Sequence, residues 1–273
     1  MLRRDETTDA VQKRIWLAIA MRAVSAGETV ALQHFNYAKT NGFSYKKHGE
    51  IVTAVDLESN RAIIRVLKRL TPTIPILSEE GGDISESVAA KSELAWALDP
   101  IDGTTNFAAR LPLWGISLAL LHRGEPVLGV ISLPALRHRY HAVQGGGAWF
   151  GKQRLHVSKT RTLKDAIGLL CYGYIGSEIS KGIRMIHRFG KRVRSERVLG
   201  AAVVESVWVA TGRADFSILH GVHTWDVAAG VLLVREAGGV ALNEQGKRWT
   251  PNDSGVIFSN IPLVKPILKT LRA

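Results

Sequence analysis

The sequence predicts a layered mixed protein, α/β or α+β, rather than a single parallel doubly wound sheet. Three observations carry this. Helical periodicity recurs in the early part of the chain, a run of paired strands follows from Gly115 to Val157, and the rest alternates strands with helices.

Thr8 and Asp9 offer an N-cap, after which Val11, Ile15, Ala18, Ile19 and Ala23 recur at helical spacing. A second amphipathic helix is expected from Leu57 to Leu70, with Ile63, Ile64, Val66, Leu67 and Leu70 on its apolar side. Leu94 to Leu98 is a short apolar run ended by Asp99-Pro100, which reads as a buried strand. Gly115 to Tyr140 reads as paired strands turning at Gly124, and Gly145 to Val157 adds a hairpin. Ala201 to Thr211 is helical and stopped by Gly212; Asp226 to Ala237 is helical and stopped by Gly238-Gly239. Turn residues and charge gather from Leu155 to Arg161. That stretch would divide one unit, 1–273, into sub-lobes of about 1–155 and 156–273.

Composition narrows the class. With 273 residues, 46% hydrophobic and 22% charged, the chain can bury a sizeable core, which excludes disorder and coiled coil. One cysteine, Cys171, rules out an internal disulfide framework or a cysteine-built metal site and points to a reducing cytoplasm. Met1 to Asp9 lacks the apolar core of a signal peptide, and no apolar run reaches the length of a membrane span, so a soluble protein is expected. The formal net charge of +12 favours anionic partners. Basic residues cluster at Arg137–Arg139 and Arg184–Arg197, without an aromatic ladder or nucleic-acid signature among them.

Acidic residues stand where elements begin or end. Asp56 precedes a helix, Glu79 and Glu80 follow the apolar run Ile76-Leu77-Ser78, and Asp226 opens a helix. Taken singly, Asp56 and Asp226 are better explained as N-caps than as catalytic groups. Asp99-Pro100-Ile101-Asp102-Gly103-Thr104-Thr105-Asn106 is different. A strand delivers Asp99, and Asp102 can turn toward the same point; two carboxylates so placed repel unless a cation lies between them. Magnesium suits oxygen ligands, and the Ile101 carbonyl lies between the two acids. Gly103-Thr104-Thr105 then begins a turn whose N–H groups suit a phosphate, while the Thr104 hydroxyl can orient a water.

These residues resemble the first signature of the inositol monophosphatase family, and Trp225-Asp226-Val227-Ala228-Ala229-Gly230 with Glu236-Ala237-Gly238-Gly239 resembles the second. Ser78-Glu79-Glu80 and Val52-Thr53-Ala54-Val55-Asp56 match two shorter upstream motifs in order and spacing. The resemblance implies the αβαβα sandwich shared with fructose-1,6-bisphosphatase, commonly a homodimer. It implies two or three Mg2+ ions: Glu79, Asp99 and the Ile101 carbonyl on the first, and Asp99, Asp102 and Asp226 on the second. Thr104 with Asp56 would activate the attacking water, and the Gly103 and Thr104 N–H groups would bind phosphate. Lys46, aligned with a one-residue gap, matches a basic residue near the metals.

Substrate choice is less determined. Inositol phosphate enzymes of the family carry an acidic residue seven positions before the second-motif aspartate; here that position is Leu219, followed by His220. Gly200-Ala201-Ala202 keeps a small-residue stretch that lets a substrate approach the backbone. The expected reaction is hydrolysis of a small phosphorylated metabolite, inositol monophosphate first. Histidinol phosphate, fructose 1,6-bisphosphate, NADP and a 3′-phosphonucleotide remain open. A non-catalytic anion-binding descendant is the competing class, and nucleic acid is not expected as a partner.

Overall fold

The computed structural model describes residues 3–37, 43–45, 51–173 and 175–272. Helices α1 (Arg3–Tyr37) and α2 (Ala54–Leu70) lie together on one face of a seven-stranded sheet. Ala20, Ala23, Val24, Ile63 and Leu67 pack there on Trp96, Leu118 and Leu128. Short strands β1 (Phe43–Tyr45) and β2 (Ile51–Thr53) pair between the two helices.

The large sheet has β3 (Ile76–Ser78) at one edge, parallel to β4 (Leu94–Asp102). An antiparallel meander follows: β5 (Gly115–His122), β6 (Glu125–Leu133), β7 (His138–Val143), β8 (Gly147–Phe150) and β9 (Gln153–Arg154). The turn at Gly124 has φ of +80°, which glycine adopts at little cost. A short helix α3 (Glu86–Ala89) precedes β4, and α4 (Thr104–Ala108) follows it.

The second sheet runs β11 (Ser195–Arg197), β10 (Ile167–Cys171), β12 (Phe216–His220), β14 (Gly255–Ser259), β13 (Val240–Leu242). Helices α6 (Ala202–Ala210) and α7 (Thr224–Glu236) lie between the sheets in the largest core cluster. Helices α5 (Gly176–Gly190) and α8 (Val264–Arg272) cover the outer face of the second sheet through Met185, Phe189 and Ile267. The layers are therefore αβαβα. Between the sheets, α6 and α7 bury Val203, Val204, Val207, Val231 and Leu233, together with the acidic Glu205.

Three sequence expectations shift. Helix α1 begins at Arg3, so Thr8 and Asp9 lie inside it rather than capping it. Helix α2 starts at Ala54, which puts Asp56 in its first turn rather than before it. Contrary to the expectation that no span-length apolar segment exists, Val11–Phe35 has the length and composition to cross a membrane, with a mean hydropathy of 1.4. Ala20, Ala23, Val24 and Ala31 in it are fully buried, and Glu28 is paired with Arg139. Small apolar residues chosen for close packing against α2 raise the hydropathy; Gly27 leaves room for Ile63.

Candidate active site

A bulge in β4 organises the acidic centre. Asp99 pairs with Ser117 and Asp102 with Gly115, so Pro100 and Ile101 together oppose the single residue Ile116. Residues three apart on a regular strand point to opposite faces; the extra residue returns Asp102 to the side of Asp99. Local bonds hold this arrangement: the Ile101 N–H donates to Asp99 Oδ1 at 3.0 Å, and Ser59 Oγ donates to the Pro100 carbonyl at 3.2 Å.

Glu79 leaves β3 with its N–H on the Leu98 carbonyl at 3.2 Å. Asp226 is the third residue of α7 and accepts the His223 N–H at 2.6 Å. This reach-back satisfies a helix-terminal donor, so Asp226 secures the helix start without occupying the capping position itself. Glu79, Asp99 and Asp226 each present an oxygen within 4.8 Å of the other two. Asp102 lies beside them and accepts the Val203 N–H at 2.7 Å, tying β4 to α6.

Electrostatics follow from this crowding. Burial first, then Glu79, Asp102 and Asp226, push the Asp99 carboxyl well above its usual range. Burial, Glu79 and Asp102 do the same to Asp226. Burial raises Asp102 to about 7, although N–H groups of Val203, Ala202 and Gly103 oppose it. An all-oxygen set of carboxylates that raise one another's pKa fits a hard divalent cation, which would remove the repulsion.

Thr104 Oγ1 lies 3.1 Å from Asp56 Oδ1 and 3.1 Å from the Ile101 carbonyl, linking α2, the bulge and α4. Gly103 has φ of +82°, and a Cβ there would meet Ala201 at 2.9 Å, so glycine is required where α4 turns off the strand. Its N–H is directed at Asp102, which qualifies the expected phosphate contact; the same turn that presents the N–H brings the carboxylate to it.

The acidic centre, Gly103 and Thr104 line a cavity of about 290 Å³ together with Gly200, Ala201, Ala202 and His220; Asp56 is not part of the lining and touches it through Thr104. Lys46 lies outside the described residues. Leu219 does not reach the cavity: strand alternation turns it into the core between the sheets, where it is fully buried. His220, the next residue, reaches the cavity edge, with Nδ1 against Glu244 Oε1. His220 and Lys181 hold the Glu244 carboxyl down at about 2 despite partial burial.

Sequence reasoning missed Tyr172, Gly173, His223 and Trp225 as lining residues. His223 stacks on Trp225 at 4.4 Å between ring centroids, and its Nδ1 lies 3.1 Å from Glu86 Oε2. The Trp225-Asp226 motif was the available signal for Trp225; nothing in the local sequence marked Tyr172. Cys171 also lines the cavity, but burial and nearby acids push its thiol well up, so it stays protonated.

With two sheets, three helical layers and this acidic centre in place, the chain belongs to the inositol monophosphatase family, whose sequence profile matches residues 12–273. Among its relatives is the fructose-1,6-bisphosphatase/inositol-1-monophosphatase of Thermotoga maritima, 37% identical over 225 residues and covering 82% of each chain. The Nus factor SuhB of Salmonella typhimurium is 30% identical over 257 residues, covering 94% of this chain and 95% of that protein. The solved structure of an IMPase from Thermotoga maritima superposes with a TM-score of 0.84 at 31% identity, covering 95% of this chain and 96% of the other.

Proposed function

We propose that this chain is a magnesium-dependent phosphomonoesterase acting on a small phosphorylated metabolite, in the manner of an inositol monophosphatase. The convergence of Glu79, Asp99 and Asp226, from three separate elements, within 4.8 Å carries the reading. A scaffold gains nothing from burying mutually repelling carboxylates. Glu79, Asp99, Asp102, Asp226 and the Ile101 carbonyl would hold the ions. Bound magnesium would acidify water, draw charge from the phosphoryl oxygens and stabilise the leaving alkoxide.

The chain's own groups do the rest. Thr104 Oγ1 has one proton to give, to Asp56 or to the Ile101 carbonyl, and keeps lone pairs to orient a water. Asp56, whose Oδ1 lies 3.1 Å from Thr104 Oγ1, would take that water's proton by way of the hydroxyl. The Gly103–Thr104 turn offers backbone N–H groups to the phosphate. Gly200, Ala201 and Ala202 form the wall against which the alcohol part of the substrate packs, and His220 borders it.

Phosphate release with magnesium and then with chelator tests this. The panel is inositol 1-phosphate, histidinol phosphate, fructose 1,6-bisphosphate, NADP and adenosine 3′,5′-bisphosphate. Magnesium-dependent turnover of one compound is expected; no turnover of any by folded protein would overturn the reading.

Relatives named Nus factor SuhB, together with the +12 charge, favour a second role as a partner in a macromolecular assembly. Retention on RNA that falls steeply with salt would support it; no retention at low salt would remove it.

A further inference from the structure

Away from the acidic centre, positive charge gathers where α5 meets α8. Lys181, Arg184 and Arg188 recur at i, i+3 and i+7 on α5 and so share one face, and Arg272 reaches the same place from the end of α8. With Met185 and Leu271 they line a cavity of about 430 Å³, inside the range of roughly 300–1,000 Å³ that small-molecule sites span. Among the described residues Glu244 is the one carboxylate in that lining, which leaves three positive charges in excess.

The cations are held without being neutralised. Arg188 Nη1 donates to the Leu271 carbonyl, and Arg272 Nη2 donates to the Gln245 carbonyl at 3.1 Å. A carbonyl fixes a guanidinium in place but carries no net charge to cancel it. Arg184 has no hydrogen bond or ion pair among the described residues, and its spacing from Arg188 is one at which like charges weaken a helix. Glu244 is already shared between Lys181 Nζ and His220 Nδ1. His220 also joins this cavity to the catalytic one, since it lines both. It is 3% exposed, and its Nε2 has no hydrogen-bond partner among the described residues. A buried polar atom left unpaired is costly, and this one belongs to the residue standing between the two cavities.

We infer that the α5–α8 cavity is an anion site, separate from the acidic centre, in which Lys181, Arg184, Arg188 and Arg272 grip a phosphate group. Planar guanidinium groups take phosphate oxygens in pairs, and lysine adds a point charge. The phosphate has two possible sources: the second phosphate of a bisphosphorylated substrate whose first lies at the acidic centre, or a separate phosphorylated ligand. The site itself stands whether or not the acidic centre is hydrolytic.

The test titrates inorganic pyrophosphate into protein stripped of divalent ions on a chelating resin. Without those ions the acidic centre repels anions, so calorimetry reads the basic cavity. One pyrophosphate per chain is expected. Arg184→Ser combined with Arg272→Ser, both at exposed positions, is expected to weaken binding about tenfold. Lys191→Ser combined with Arg192→Ser, an equal loss of charge outside the cavity, should leave it within about twofold. No binding to wild type, or an equal loss in both double variants, would overturn the inference; Arg184→Ser alone replaces the first pair should that one not fold. With magnesium, the first pair also sorts the two sources. A KM raised about tenfold for fructose 1,6-bisphosphate and adenosine 3′,5′-bisphosphate, with inositol 1-phosphate unchanged, assigns the site to the substrate's own second phosphate. Unchanged kinetics on every compound assigns it to a separate ligand. Absence of turnover by wild type would sink the phosphatase reading alone, and pyrophosphate binding would still decide the site.

Discussion

One part of the cavity lining carries Glu79, Asp99, Asp102 and Asp226; the other carries Cys171, Tyr172, Gly173, Gly200, Ala201 and His220. The first is crowded with like charge, and Asp99, Asp102 and Asp226 in it also accept backbone N–H groups near the ends of elements. The second offers small residues, aromatic surface and few acceptors. Charge density costs folding energy and suits chemistry, whereas an open, weakly polar wall costs little and suits selection of a leaving group. The difference teaches where a substitution should stop the reaction and where it should only change what reacts.

The largest effect is expected at Asp99. Asp99→Asn keeps an oxygen for the Ile101 N–H but removes a charge central to the cluster. Turnover should fall by at least about 10³-fold while circular dichroism and melting stay at wild type or better, since repulsion is relieved. Activity retained in that variant would break the contrast between the two linings. Thr104→Ala should lower kcat by about 10²-fold and leave magnesium affinity unchanged, as read by titration and steady-state kinetics.

Protonation provides a graded test. The cation-free cluster favours bound protons: burial raises the Asp102 pKa to about 7, and burial with neighbouring acids pushes Asp99 and Asp226 well above the usual carboxylate range. Magnesium must displace them, so its affinity should rise about tenfold per pH unit for each proton released near neutrality. Calorimetry in buffers of different ionisation enthalpy would count those protons. The same raised pKa values set the sign for stability without metal. The folded state binds more protons than the unfolded one from about pH 4 upward, so chelated protein should melt lower as pH rises through 7. Added magnesium should flatten that slope.

The smallest effect belongs to the other lining. Cys171→Ser should change kcat/KM by no more than about twofold, because a protonated thiol is a poor nucleophile. A large loss there would show that the two linings share the chemistry.

The acidic lining was legible in the sequence because Asp99, Asp102 and Thr104 sit within six residues of one another, in a single motif. Strand β4, the Gly124 turn and helices α6 and α7 were legible for the same reason, being set by local pattern. The other lining was not. Tyr172 and His223 reach the cavity through loops whose course depends on packing, and Leu219 faces away because strand β12 pairs in a register no local pattern reveals. The apolar length of α1 misled in the opposite sense, since packing alanines and spanning alanines look alike.

The bulge at Pro100–Ile101 bears on how such a site is lost over descent. Deleting one of those two residues would let β4 and β5 pair without interruption, and Asp99 and Asp102, then two apart, would still share a face. The ladder would also reclaim a carbonyl that now accepts from Thr104 or Ser59. A lineage could thus keep its acidic signature and acquire a more regular sheet while surrendering the reaction. In such a descendant the spacing between the two aspartates, rather than their presence, would record the change.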